Sequence, residues 1–313
     1  GEARVRAIAR RMAVDHWTVR TIEALRGAGV DPVLLKGPAV ADWLWPGNRS
    51  ARTYDDADLL VSPTDLVATR ATLVGLAFER VSPPVEELDG RRRRHAETWV
   101  RWRDHAAVDL HQVLHGLEHL EPATVWTVVQ REPDQLRVAG ATVAVPSATV
   151  RTLHVVLHLQ PKDEPGTKAW RDLERALEVV PDETWRRAAD LARELEVADA
   201  VGALLSLVPG GAERAAAVGL PTAPPAWLVR HHRRHASALE RAALRLGTAR
   251  PADLPRLVLR LVAPPRTAMV VTFPVARRGR LGLAAAHLQR WTRLPGHLAR
   301  TVRARRTRGR HLR

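Results

Sequence analysis

Three aspartates carry the chemistry this sequence offers. Asp56 and Asp58 stand two apart in Asp55-Asp56-Ala57-Asp58-Leu59-Leu60-Val61, and Asp109 lies in Ala107-Val108-Asp109-Leu110-His111. Both stretches otherwise read as apolar strands, over 56–61 and 107–114. A period of two points Asp56 and Asp58 to one face, and Ala57 and Leu59 to the other. Acids are depleted in strands, and close, buried carboxylates are costly unless paired. A divalent cation resolves both problems. Three carboxylates on a rigid sheet suit Mg²⁺, which keeps open positions for substrate phosphates. Two such ions about 3.5–4 Å apart can clamp the attacking and leaving oxygens of a phosphoryl displacement. A second reading is a solvated turn ahead of a strand, because acids also gather at turns. On these residues alone both readings stand.

The elements around the aspartates follow from periodicity and punctuation. Residues 4–27 repeat apolar positions at helical spacing and stop at Gly27 and Gly29. Val30–Leu35 reads as a buried strand ending at Lys36-Gly37-Pro38, with a short helix over 39–45. Ser62-Pro63-Thr64-Asp65 opens a helix that runs to about residue 77. Phe78–Val81 and Thr98–Arg103 read as strands, and 82–95 as an exposed, Arg-rich loop. Leu136–Val138 and Thr142–Val145 form a hairpin through Ala139-Gly140. From Ser147 the pattern turns helical, and the Pro/Gly-rich stretch 209–225 marks a boundary.

Composition narrows the classes. The chain has 313 residues, 45% hydrophobic and 27% charged, which is ordinary globular usage. No run of about 18 apolar residues occurs, so no spanning helix is expected. The first residues lack the apolar core of a secretory signal, and cysteine is absent; a cytoplasmic location is the expectation. Net charge is +15 and unevenly spread. Residues 226–313 hold 21 Arg against only Glu240 and Asp253, giving +19, which leaves −4 for 1–225. No P-loop, dinucleotide or nucleophile-elbow motif occurs in a fitting context.

Histidines supply rival motifs. His115-Gly116-Leu117-Glu118-His119 matches a zinc-protease pattern, but Gly116 inside it and Pro122 after it argue against the helix that pattern needs. His154 and His158, four apart on an apolar helix, read as core histidines. His231-His232-Arg233-Arg234-His235 reads as a solvated basic face.

The ordered set of motifs carries more than any one of them. Leu34-Leu35-Lys36-Gly37-Pro38-Ala39 is followed by Arg52 and Asp56-Ala57-Asp58-Leu59-Leu60-Val61, then by Val108-Asp109-Leu110-His111. Val145-Pro146-Ser147 leads into a helix with His158, and Trp170-Arg171-Asp172-Leu173 follows. Over residues 15–205 this series resembles a family of uncharacterised nucleotidyltransferases within the DNA-polymerase-β-like superfamily. Ala57 and Gln112 depart from it, where relatives carry a larger apolar residue and a Trp.

The resemblance implies an α+β fold: a small mixed β-sheet nucleotidyltransferase core flanked by helices. A helical domain and a basic helical C-terminal extension follow it. The domains are expected at 1–145, 146–225 and 226–313. It implies Mg²⁺, as two ions, held by Asp56, Asp58 and Asp109 as catalytic metal ligands, with an NTP as substrate. Lys36 and Gly37 would meet the triphosphate. Arg52 would contact phosphate or anchor its loop on Asp56. His111 would orient a carboxylate or bind substrate. The acceptor is left open: small molecule, peptide, protein or RNA. An alternative is a non-catalytic binding module that keeps the fold.

Residues 226–313 fit three readings. One is a nucleic-acid surface with Trp227 and Trp291 as stacking platforms, another an anionic-membrane surface, and the third a solvated helical cap.

Overall fold

The computed structural model describes residues 2–82, 84–85, 88–89, 92–93, 95–160, 163–222, 269, 273–290 and 292. The chain divides into two compact units, Gly1–His232 and Arg233–Arg313. Trp227, Trp291, His231–His235, Arg91 and Arg94 lie outside the described residues. In the second unit, Met269, Phe273, Ala276 and Ala286 form a small apolar cluster around a 3₁₀ turn, Pro274–Arg277.

In the first unit, helix α1 (Glu2–Gly27) precedes β1 (Val33–Leu34) and α2 (Pro38–Leu44). Pro38 sits in the first turn of α2, where its missing N–H costs nothing. Strand β2 (Ala57–Leu60) leads through a 3₁₀ turn, Pro63–Asp65, into α3 (Leu66–Gly75). Next come β3 (Glu79–Arg80), β4 (Leu88–Asp89), β5 (Arg92–Arg93), β6 (Ala96–Arg101) and β7 (Ala106–His111). Helix α4 (Pro122–Gln130) leads to the hairpin β8 (Asp134–Val138) and β9 (Ala141–Val145). Ala139 and Gly140 both take positive φ, 45° and 89°, as the favoured two-residue hairpin turn requires. Ser147 caps α5 (Ala148–His158) by accepting from Val150 N–H. Helices α6 (Lys168–Val179), α7 (Asp182–Glu194), α8 (Ala198–Leu205) and α9 (Gly211–Ala217) complete the unit.

Seven strands form one mixed sheet in the order β3-β6-β7-β2-β1-β9-β8. Strand β2 runs parallel to β7, and β1 parallel to β9; the remaining pairs are antiparallel. The fold is α+β. Strand parity splits the core in two. Ala57, Leu59, Val108 and Leu110 pack against Val19, Ile22 and Leu25 of α1 and Leu73 of α3. Val33 and Leu60 face the other way, toward Val40 and Leu44 of α2, Leu153 and Val156 of α5, and Leu173 of α6. That second core runs without a break from Val33 to Leu220, so sheet and C-terminal helices share it.

Three elements differ from the sequence reading. The Arg-rich loop contains a two-stranded ladder, β4–β5. Helix α4 was not foreseen, because Thr124, Val125, Thr127, Val128 and Val129 are β-branched and carry a strand-like propensity. Burial of Val125, Val128 and Val129 on one face overrides it. The Pro/Gly-rich stretch 209–225 contains α9, whose first residue, Gly211, leaves no room for a side chain because one would strike the Leu205 carbonyl.

Candidate active site

The parallel pairing of β2 and β7 places Asp58 opposite Asp109 and Leu60 opposite His111. Since Ala57, Leu59, Val108 and Leu110 occupy the α1 side, parity turns Asp58, Asp109 and His111 to the α5–α6 side. Asp58 is buried in a strand whose four residues are all buried. Such a carboxylate needs partners, and it has two on one oxygen. Lys36 Nζ lies 2.8 Å from Asp58 Oδ1, and His111 Nε2 lies 3.0 Å from it. Burial alone would raise the Asp58 carboxyl. The Lys36 ammonium and the hydrogen bond and charge of His111 outweigh it, and hold the group well below the usual carboxylate range.

The other two acids behave differently. Asp56 lies in the bend before β2, not on the strand. Burial and the charges of Asp58 and Asp109 push its carboxyl up to about 6, against the pull of Lys168 and Lys36. Asp109 is also raised, chiefly by burial and by Asp58, although His111 and a hydrogen bond from Thr98 act the other way. Thr98 stands opposite Asp109 on β6.

Ligand atoms of Asp58, Asp109 and His111 lie within 4.8 Å of one another. Two carboxylates and an imidazole form a donor set that fits a divalent cation. The buried His111 Nδ1 has no hydrogen-bond partner, which leaves that nitrogen free for a ligand. Asp56 stands close enough for its titration to follow the charges of the other two acids.

Gly37 turns the chain beside these groups at φ 61° and ψ −117°, a conformation that disfavours any side chain. Arg52 is held away from Asp56. Its Nε and Nη2 donate to both oxygens of Asp172 at 2.8–3.0 Å, and both side chains are buried. Its Nη1 lies 3.4 Å from the Gly37 carbonyl. The guanidinium thereby ties the loop before β2 to α6 and to the Lys36–Gly37 turn. A small hollow beside this turn is lined by Lys36, Arg52, His154, His158 and Asp172. His154 Nε2 and His158 Nδ1 are buried there without a hydrogen-bond partner. Burial, and after it the Lys36 charge, keeps both imidazoles well below the ordinary histidine range.

Sequence reasoning named Lys36, Gly37, Arg52, Asp56, Asp58, Asp109 and His111; the structure groups Asp58, Asp109 and His111 with Lys36 on Asp58, leaves Asp56 in the bend ahead of that group, and turns Arg52 to Asp172. The sequence reading did not assign Thr98, Lys168 or Asp172. Asp172 was within reach, because it stands in the Trp170-Arg171-Asp172-Leu173 string that belongs to the resemblance given above.

Comparison with known proteins bears on this geometry. A family model described as an uncharacterised nucleotidyltransferase matches residues 2–209. The chain belongs to this nucleotidyltransferase family. Two solved structures are similar to it. One is the antibiotic-resistance factor ANT(2'')-Ia, at 19% identity and a TM-score of 0.41, over 57% of this chain and 92% of that one. The other is an antigenic nucleotidyltransferase-like protein from Paracoccidioides brasiliensis, at 14% identity and a TM-score of 0.34, over 61% and 90%. The search of curated proteins returned no match. Among the described residues, no helix of this family member is long and apolar enough to cross a membrane.

Proposed function

We propose that the chain is a divalent-metal-dependent nucleotidyltransferase that moves a nucleoside monophosphate from an NTP to an acceptor hydroxyl or phosphate. The acceptor oxygen attacks the α-phosphorus, the bond to the bridging oxygen breaks, and pyrophosphate leaves. The single observation that carries this reading is the register of β2 against β7, which sets Asp58 beside Asp109 with His111 at the same end. Asp58, Asp109 and His111, with Asp56 alongside, are the residues that would hold the metal. Bound there, Mg²⁺ would neutralise triphosphate charge and that of the leaving group.

The chain's own groups do the rest. Lys36, now paired with Asp58, presents an ammonium to the phosphates, and Gly37 lets backbone approach them closely. Asp109 would take the proton of an acceptor hydroxyl at a carboxylate oxygen that the metal leaves free. Arg52 and Asp172 fix the turn that carries Lys36. The work of the protein is positioning and charge neutralisation.

Incubation with each labelled NTP and Mg²⁺ tests the proposal by pyrophosphate release. Asp56→Asn with Asp58→Asn should abolish turnover, with the circular dichroism of the fold retained. Full activity in that double variant would refute the assignment. Calorimetry with a nonhydrolysable NTP separates the enzyme from a binding module. Mg²⁺-dependent binding is expected of the enzyme.

A further inference from the structure

We infer that His95, His115 and Glu118 form a second metal site, of different chemistry, that takes a borderline transition-metal ion such as Zn²⁺. The zinc-protease pattern in the sequence paired His115 and His119 on a helix. The fold makes 115–119 a turn instead, and His119 Nε2 points to the Leu195 carbonyl at 3.4 Å. The β6–β7 ladder supplies the replacement. Ala96 pairs with His111, and Gln112 N–H donates to the His95 carbonyl at 3.3 Å, so His95 arrives beside the segment that follows β7.

The three side chains are already aimed at one point. His115 Nδ1 lies 3.1 Å from Glu118 Oε1, and His95 Nδ1 lies 3.7 Å from the same oxygen. All three donor atoms fall within 4.8 Å of one another. The second carboxylate oxygen, Oε2, accepts from Gly116 N–H at 3.1 Å, which leaves Oε1 turned toward both rings. An outer hydrogen bond of this kind is how metal-binding carboxylates are oriented. Gly116 itself takes φ +87°, and a side chain there would press on Leu157 at 3.0 Å, so the turn admits little else.

Ligand chemistry chooses the ion. Two imidazoles and one carboxylate suit Zn²⁺ at about 2.0–2.2 Å and are poor for Mg²⁺, which prefers oxygen. A tetrahedral ion at such distances spaces its donors about 3.4 Å apart, so the His95–Glu118 pair at 3.7 Å would close slightly and the His115–Glu118 pair at 3.1 Å would open slightly. His95 and His115 are partly exposed, which gives a path in and an open fourth position. The ring of His95 lies 5.7 Å from that of His111. An ion here would therefore fasten the flank of the aspartate site by joining the chain before β6 to the chain after β7.

The test uses the untagged 313-residue chain and Zn²⁺ alone, read by competition with a chromogenic chelator and by visible d–d absorption of Co²⁺ in its place. One Zn²⁺ per chain is expected to bind in the Asp58→Asn, Asp109→Asn double variant and in His231→Ala, His232→Ala, His235→Ala. Outer-shell changes alone cost about 10–100-fold in affinity, so losing a ligand in His115→Ala should cost at least that. Should His115→Ala misfold, Glu118→Gln carries the test, since the amide still accepts from Gly116. The inference is overturned if the wild-type chain binds no Zn²⁺ tighter than about 10 μM, at most 7 kcal/mol of binding by rough conversion. It also falls if binding survives unchanged in Glu118→Gln, or vanishes with the aspartates or the 231–235 histidines.

Discussion

Arg52 and Asp172 close a buried, two-pronged ion pair across 120 residues of chain, between the loop before β2 and helix α6. Both members are nearly inaccessible to water. Neither group is free to bind substrate while the pair is closed, and each depends on the other for charge compensation.

The first prediction follows from that dependence. Asp172→Ala strands a buried guanidinium and should cost about 3–5 kcal/mol, read as a lower midpoint in urea unfolding. Arg52→Lys should also destabilise, because an ammonium cannot reproduce the fork. A midpoint unchanged in both variants would mean that the pair does not hold the loop.

Gly37→Ala is a second test of that turn. The new methyl would meet Tyr54 and the Asp56 carbonyl at ordinary contact, 3.5–3.6 Å, so the penalty lies in the backbone. Holding alanine at this φ and ψ costs on the order of 1–3 kcal/mol. The variant should lose that much stability, measured by denaturant titration, and lose turnover as Lys36 shifts.

Lys36→Met separates charge from shape. Asp58 keeps only His111 as a partner on its shared oxygen. If Lys36 also meets the triphosphate, turnover should fall by about 10²–10³, the usual cost of removing one charge-stabilising donor. Steady-state kinetics across NTP concentrations would show it, with Lys36→Arg restoring part of the loss.

The pH dependence has two opposed sources. Asp56 titrates near 3.8 when unperturbed and at about 6 in the fold. Its protonated form is thus favoured by folding, a contribution complete below pH 4 and lost as pH rises through 6. His95, lowered to about 3 by burial and the charges of His111 and His115, acts in the other direction, as do His154 and His158. Their contribution is present above the ordinary histidine pKa and lost as pH falls below it. Metal-free protein should therefore melt lower at pH 5 than at pH 7.5. Asp56→Asn should melt higher than wild type at pH 7.5, by several degrees, with the gap closing at pH 4. Mg²⁺ should raise the wild-type midpoint more at pH 7.5 than at pH 5. An equal shift at both would remove Asp56 from the metal site.

Local residue order was enough to fix the acids and their parity. Period-two spacing in strands puts Asp58 and Leu60 on one face and Ala57 and Leu59 on the other, whatever lies beyond. It also determined the Lys36-Gly37-Pro38 turn, the Ser147 cap and the 139–140 hairpin, all of which depend on residues a few positions apart. What lies across long loops depended on packing. Parity cannot say that β7, rather than β6 or β9, pairs with β2, nor that Asp109 rather than Val108 aligns with Asp58. It cannot say that Asp56 falls just outside the strand, that Arg52 turns to Asp172, or that His95 meets His115 and Glu118. Those choices belong to the packing of two cores against one sheet, where burial of many apolar side chains fixes the register. The few polar groups then take the partners that this register brings within reach.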